Sequence, residues 1–346
     1  MRWRLKRFTL TKAVPLTISR GTTAAVEHLC LTVDHDGCSG RGETGGFDTG
    51  LRAFDTGALE AELRELLPSL EPLDPICRQA IDPLLAPLSP PARCAVDLAL
   101  HDWWGQRLGR PLWQLWGLDR QACVPTSVTL GLASPEAVVD RLHRWRQLLP
   151  ASRVKLKLGS PAGLDHDRAL VEALRPRLEG AELQVDANGG WTPDQARRML
   201  PWLAEREVVL VEQPLAAAPD DGAAFADLRG RAPLALVADE SCWDLPDLLR
   251  LAPHVDGINI KLLKTGGLTE ALLMARTARR LGLRLMLGCY SDSALLNGAA
   301  AQLLPLVHWP DLDSHLNLVD DPFRGPLQDG DLLRPGDGPG LGVEPC

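Results

Sequence analysis

No Cys-x-x-Cys pair occurs among the eight cysteines, at 30, 38, 77, 94, 123, 242, 289 and 346. That spacing argues against a zinc site and for reduced thiols in a cytoplasmic protein. No Gly-x-Gly-x-x-Gly follows the early apolar runs, which disfavours a dinucleotide fold. No apolar run approaches the ~20 residues of a membrane span. The basic start Met1-Arg2-Trp3-Arg4-Leu5-Lys6-Arg7 leads into Thr9, Thr11, Lys12 and Pro15, so a secretory h-region is not expected. A basic stripe with interleaved aromatics is also missing, and the net charge of -8 argues against a general nucleic-acid binder. The 346 residues allow one large or two moderate domains of ordinary soluble composition.

What is present is a series of short apolar runs that end in a charge. They are Val154 to Lys157, Leu183 to Asp186, Val208 to Glu212, Leu234 to Asp239 and Gly257 to Lys261. A sixth, Leu283 to Leu287, ends uncharged in Gly288-Cys289. The terminal charges fall at 157, 186, 212, 239 and 261, steps of 22 to 29 residues, which is the length of a strand, a loop, a helix and a loop. The runs are apolar throughout, as strands buried on both faces are. Segments between them read as helices, with apolar three- and four-residue steps over Asp165 to Leu178 and Gly267 to Leu281. Parallel strands joined by helices build a barrel or a doubly wound sheet, and both carry chemistry at the carboxyl ends of their strands.

The region before this series has a different grain. Trp3 to Leu10 and Glu27 to Val33 read as strands, with a polar loop, Pro15 to Thr23, between them and Arg20 at its tip. Helical patterns follow over Thr56 to Leu67 and Pro91 to Arg107, so residues 1–113 are expected to form an α+β layer. Pro111 to Gly117 marks a boundary, and residues 114–320 hold the barrel pattern, from a first strand at Pro125 to Leu130 to a last strand end at Pro310-Asp311-Leu312-Asp313. The Gly- and Pro-rich stretch 321–346 is expected to return over the surface, onto the first domain.

Asp186, Glu212 and Asp239 end three consecutive strands. Side by side in a buried site such carboxylates repel and need a cation, and an all-oxygen ligand set suits a hard ion such as Mg²⁺. Lys155 and Lys157, two apart in a strand, point to the same side roughly 6–7 Å apart. Each is expected to depress the other's pKa, and a lysine near neutrality can act as a general base. Lys261 would face them across a closed barrel. Lys264 follows three residues later, and spacing alone does not decide which of the two points inward; Lys261 is preferred because Ile258 and Ile260 set the strand. A cation with lysines on opposite faces of one carbon suits removal of a proton next to a carboxylate and its return from the other side, which inverts the centre.

Taken together, Ala92 to Asp102, Lys155-x-Lys157, Val185-Asp186-Ala187-Asn188, Val211-Glu212-Gln213-Pro214, Ala238-Asp239-Glu240-Ser241 and Asn259-Ile260-Lys261 resemble the enolase superfamily over nearly the whole chain. The resemblance implies an α/β fold: a modified TIM (β/α)7β barrel under an α+β capping domain formed by the N-terminal region and the C-terminal tail. It implies Mg²⁺ on Asp186, Glu212 and Asp239, an acid/base pair in Lys157 and Lys261, and Lys155 as an electrostatic partner of Lys157 and of the substrate carboxylate. Gly288-Cys289-Tyr290-Ser291 stands where mandelate racemase and the sugar-acid dehydratases carry a histidine, so the likeness is to the muconate lactonising subgroup. Within that subgroup Asp311-Leu312-Asp313 resembles the Asp-x-Asp by which dipeptide epimerases of the Ala-Glu type hold an N-terminal ammonium. Arg20 matches an arginine that meets an acidic side chain of the epimerised residue, and Thr129 and Ser291 are expected to line the pocket. Ser314-His315-Leu316-Asn317 departs from the usual glycine after this motif. The expectation is an isomerase: a Mg²⁺-dependent dipeptide epimerase acting on a small dipeptide, without nucleic-acid or membrane partners, in a homo-oligomer. N-acyl amino acid racemase and o-succinylbenzoate synthase are alternatives of the same subgroup, and a catalytically silent binding barrel is an alternative of another class.

Overall fold

The computed structural model describes residues 1–231 and 233–346. The chain opens on a long antiparallel hairpin, β1 (Arg2–Ile18) and β2 (Gly21–His35), extended by β3 (Cys38–Gly45). The polar loop expected from Pro15 to Thr23 is instead mostly strand: Leu16 pairs with Thr23 and Thr17 with Thr22, and only Ser19 and Arg20 are left in the turn. The β-branched residues around the turn favour the pleat, and the Thr17 and Thr22 hydroxyls meet across it at 2.8 Å. An irregularity between Thr11 and Leu16 bends the hairpin, and its tip reaches the barrel, where Leu132 N donates to Thr17 O at 2.8 Å.

Behind the sheet lie α1 (Thr56–Leu70), α2 (Arg78–Leu85) and α3 (Pro90–Leu108). Asp55 caps α1 by accepting from Gly57 N and Ala58 N. Gly42 on β3 faces α3 so closely that a Cβ there would strike the Ala95 carbonyl, which explains a glycine in mid-strand. Leu29, Leu31, Leu59, Leu63, Ile81 and Val96 form the core of this layer.

Eight parallel strands follow in sequential order: Val128–Leu130, Arg153–Lys157, Glu182–Asp186, Val208–Glu212, Ala235–Ala238, Gly257–Ile260, Arg284–Gly288 and Trp309–Asp311. Ser127 N donates to Pro310 O at 2.9 Å across the seam between the first and the last. Helices follow each of the first seven strands, so the sheet is a modified TIM barrel with an α+β cap. Leu210, Ala235, Val237, Met286 and Trp309 share the inward parity of the strands and form a separate cluster there, in which Met286 Sδ lies 3.7 Å from Lys155 Nζ. The last strand stops at Asp311. Asp313 has helical backbone (φ -92°, ψ -5°), so the period of two that would put both aspartates on one face ends before it.

Buried polar ties join cap and barrel. Asp97 on α3 accepts from Arg78 at 2.6 Å and from Thr269 N at 3.1 Å, at the start of the helix after the sixth strand. Glu43 on β3 accepts from Leu296 N at 3.1 Å and pairs with His28 at 2.6 Å. The tail returns to α3: Leu341 N donates to Asp102 Oδ1 at 2.9 Å, while Arg41 N donates to its Oδ2 at 2.8 Å. Burial pushes the Asp102 carboxyl up to about 6 despite these bonds.

Candidate active site

The barrel register sets the site. Lys157, Asp186 and Glu212 are cross-strand neighbours at the ends of the second, third and fourth strands, and Asp239 directly follows the fifth. All three carboxylates are fully buried. Burial pushes the Glu212 carboxyl up to about 8, aided by the charge of Asp186, and Lys155 offsets this only in part.

A lysine closes each carboxylate. Lys157 Nζ donates to Asp186 Oδ2 at 2.5 Å, and Lys261 Nζ to Asp239 Oδ2 at 2.7 Å. Lys155 lies against Glu212 and donates to Asp311 Oδ2 at 2.6 Å, with Asp186 at 3.9 Å. A lowered pKa was expected for the Lys155 and Lys157 pair. Burial does work to lower Lys155 and Lys261, but it is outweighed, by Asp311, Glu212 and Asp186 for the first and chiefly by Asp239 for the second, so both stand well above the ordinary value. The structure separates Lys261 from Lys264. Lys261 lines a cavity of 160 Å³ and lies 4.5 Å from the centre of the Tyr290 ring. Lys264 is sealed away, bonded to Asp239 Oδ1 at 2.6 Å, to Cys242 O at 3.0 Å and to Asn259 O at 3.1 Å.

Other residues shape the carboxylates without prior notice from the sequence reading. Asn259 Nδ2 donates to Glu212 Oε1 at 2.6 Å. It sits two residues before Lys261 on the same face, a parity that could have found it. Gln213, in left-handed backbone (φ 36°), accepts from Asp239 N at 2.9 Å and donates to Ser241 Oγ at 2.7 Å. A Cβ at Gly288 would lie 2.7 Å from Asn259 Nδ2 and 3.0 Å from Lys261 Cε, so the missing side chain on the seventh strand is room for the other two.

The cavity between Lys157 and Lys261 is roofed by the cap. Phe47 stacks on Tyr290 at 4.1 Å, and Ser291 and Arg20 also line the space. Arg20 was expected to meet an acidic side chain of the epimerised residue. In this structure it is bonded to Glu240 Oε1 at 2.9 Å and to Asn188 O at 2.8 Å; Glu240 is buried beside Asp239 and Asp186. Asp311 and Asp313 are both buried but do not form a same-faced pair. Asp311 points at Lys155 and accepts from Ser127 Oγ at 2.7 Å, whereas Asp313 accepts from Thr129 N at 2.6 Å and faces a second cavity, of 260 Å³, that Thr129 also lines. Burial and Asp311 push the Asp313 carboxyl up to about 6.

The donor set fits a hard divalent cation: three dry carboxylates at adjacent strand ends, with Glu212 Oε2 lacking any properly directed hydrogen bond. The carboxylates are turned to their lysines, and among the described residues no three His, Cys, Asp or Glu side chains converge on one point as metal ligands.

Residues 4–117 match the N-terminal domain of mandelate racemase / muconate lactonizing enzyme, and residues 137–346 match the enolase C-terminal domain-like family. A hydrophobic dipeptide epimerase of Flavobacteria bacterium (strain MS024-2A) is 37% identical over 97% of this chain and 96% of its own length. The substrate-liganded L-Ala-D/L-Glu epimerase of Bacillus subtilis superposes with a TM-score of 0.92 at 27% identity, covering 99% of this chain and 98% of that one. The dipeptide epimerase of Enterococcus faecalis V583, solved with Mg and L-Leu-L-Tyr, gives 0.91 at 28% identity over 99% and 98%.

Proposed function

Because the chain belongs to the enolase superfamily, in its mandelate racemase / muconate lactonizing enzyme branch, we propose that it is a Mg²⁺-dependent dipeptide epimerase, an isomerase that inverts the α-carbon of a dipeptide's second residue. The observation that carries this is the placement of Lys157 at the end of the second strand and Lys261 directly after the sixth, both lining one cavity at the carboxylate end of the barrel. Amines from opposite sides of the barrel approach opposite faces of a carbon held between them. One takes the α-proton to its Nζ, and the other gives a proton back from the far side.

Asp186, Glu212 and Asp239 would hold Mg²⁺, which when bound supplies positive charge to the substrate carboxylate and so acidifies the neighbouring C–H. Burial works toward the neutral Lys261 that a base needs, while Asp239, Tyr290, Glu212 and Glu240 hold it charged. Lys155, held against Glu212, Asp186 and Asp311, keeps compensating positive charge beneath the site. Asp313, which lines the 260 Å³ cavity, takes the N-terminal ammonium. Arg20, already neutralised by Glu240, ties the hairpin tip over the cavity and lends the second-residue pocket no net charge. An apolar second residue suits that pocket better than an acidic one.

A dipeptide library incubated in deuterated water with Mg²⁺ tests the proposal, read by mass gain at the α-carbon. Gain confined to the second residue of dipeptides is expected. Gain on N-acyl amino acids alone would replace the reading by that of an acyl amino acid racemase.

A further inference from the structure

The 260 Å³ cavity lies between the hairpin and the helix after the first barrel strand, Pro135–Arg146. Its charged lining consists of Lys12, Asp140, Arg141, Arg144 and Asp313. Lys12 is only 7% exposed and lines this cavity, and among the described residues it forms no salt bridge. Arg141 donates to Asn317 Oδ1 at 2.9 Å and stacks on Trp145 at 4.5 Å, and it too has no carboxylate partner. A buried lysine without a counterion is costly and is kept where something arrives to meet it.

The charges do not balance once a substrate is bound. Burial lowers both Lys12 and Arg141; Cys289, then Asp313 and Asp292, oppose this for Lys12, and Asp313 opposes it for Arg141. In the reading above, Asp313 is spent on the substrate ammonium. Lys12 and Arg141 are then left facing the cavity with no carboxylate of their own, while Asp140 and Arg144 are both exposed to solvent at the rim. A neutral first side chain leaves this excess standing and a basic one enlarges it. The substrate's own terminal carboxylate is engaged at the lysine and carboxylate centre, so the missing anion has to come from the first side chain.

We propose that the cavity bounded by Lys12 and Arg141 is the first-residue subsite and that it selects an acidic side chain, so that the preferred substrates are dipeptides beginning with glutamate or aspartate. This rests on Asp313 as the ammonium site and deepens the epimerase reading. Leu16, Val138 and Trp145 cover the methylene stem, and Lys12 and Arg141 meet the carboxylate.

The test compares isosteres. Solvent deuterium incorporation is measured for dipeptides with Glu, Gln, Ala or Lys first, each before the second residue preferred in the library screen. In the wild-type protein kcat/KM for the Glu dipeptide should exceed that for the Gln dipeptide by about tenfold or more, the worth of a charge-assisted contact. Lys12→Met should collapse that ratio toward one, and Arg141→Gln should reduce it. Because the wild-type ratio needs no variant, it decides the matter even if Lys12→Met does not fold. Equal or better turnover of Gln or Ala dipeptides by the wild type overturns the acidic subsite and leaves the epimerase intact. No exchange on any dipeptide overturns both.

Discussion

Lys261 and Lys264 both bond Asp239, one to each carboxylate oxygen, yet their environments assign them opposite consequences when each is changed to methionine. Lys264 reaches one carboxylate oxygen and backbone carbonyls of Cys242 and Asn259, all buried. Removing its ammonium strands one charged acceptor and at least two carbonyls. With a charge-assisted bond at about 1.5–3 kcal/mol and each carbonyl bond at about 1, the loss is roughly 3–5 kcal/mol, the usual cost of breaking a buried ion pair. That is a large share of a typical total of about 5–15 kcal/mol and, for a chain of 346 residues, corresponds to a fall in Tm of roughly 4–7 °C. Lys261 borders a cavity that water can enter, so Lys261→Met should cost only about 1–2 kcal/mol but lower α-proton exchange by about 10²–10⁴-fold. Urea unfolding followed by circular dichroism gives the first quantity, and deuterium incorporation by the folded protein gives the second. The reasoning is refuted if Lys264→Met unfolds at the wild-type urea concentration, or if it abolishes exchange while Lys261→Met retains it.

Three more outcomes are expected. Gly288→Ala should lower kcat on the order of a hundredfold with little loss of stability, because the added methyl displaces Asn259 and Lys261; steady-state kinetics with a melting curve check this. Saturating Mg²⁺ should raise Tm by about 5 °C or more, and Glu212→Gln should remove most of that rise in differential scanning fluorimetry, whereas an unchanged rise would put the ion elsewhere. Asp313, raised to about 6, is protonated below that pH, so kcat/KM should fall as pH drops through 6 while the ammonium loses its partner. The stability sign is opposite: a raised folded pKa contributes stability below the unfolded value of about 4 that is lost as pH rises through 6, so Asp313→Asn should stabilise by up to about 3 kcal/mol at pH 8 and by little at pH 4.

The barrel and its carboxylates were legible because their signals are local. A run buried on both faces followed by a charge names a strand and its carboxyl end in five or six letters, and the helix between runs fixes the spacing. The hairpin tip was misread as a loop because threonine and serine suit both states, and only pairing of Leu16 with Thr23 decides between them. The state of the charges was not legible at all. Arg20 and Glu240 are 220 positions apart, and Lys155 and Asp311 are 156 apart, so nothing in either neighbourhood announces the partner. Lys12 is harder still, since its interest lies in the absence of a partner, which only a folded chain can display.

Asp102 carries a consequence for how the molecule is made. It accepts from Arg41 on the cap sheet and from Leu341 in the returning tail, and the second partner is 239 residues further along the chain. During synthesis the cap and every barrel strand leave the ribosome before that partner does. Until then the carboxylate has to stay hydrated, because burying it with half its bonds would be unfavourable. The junction between helix α3 and the tail therefore closes after all eight strands are available to pair, and a pause or nick in the last few dozen codons should leave a protease-sensitive cap beside a barrel that is already ordered.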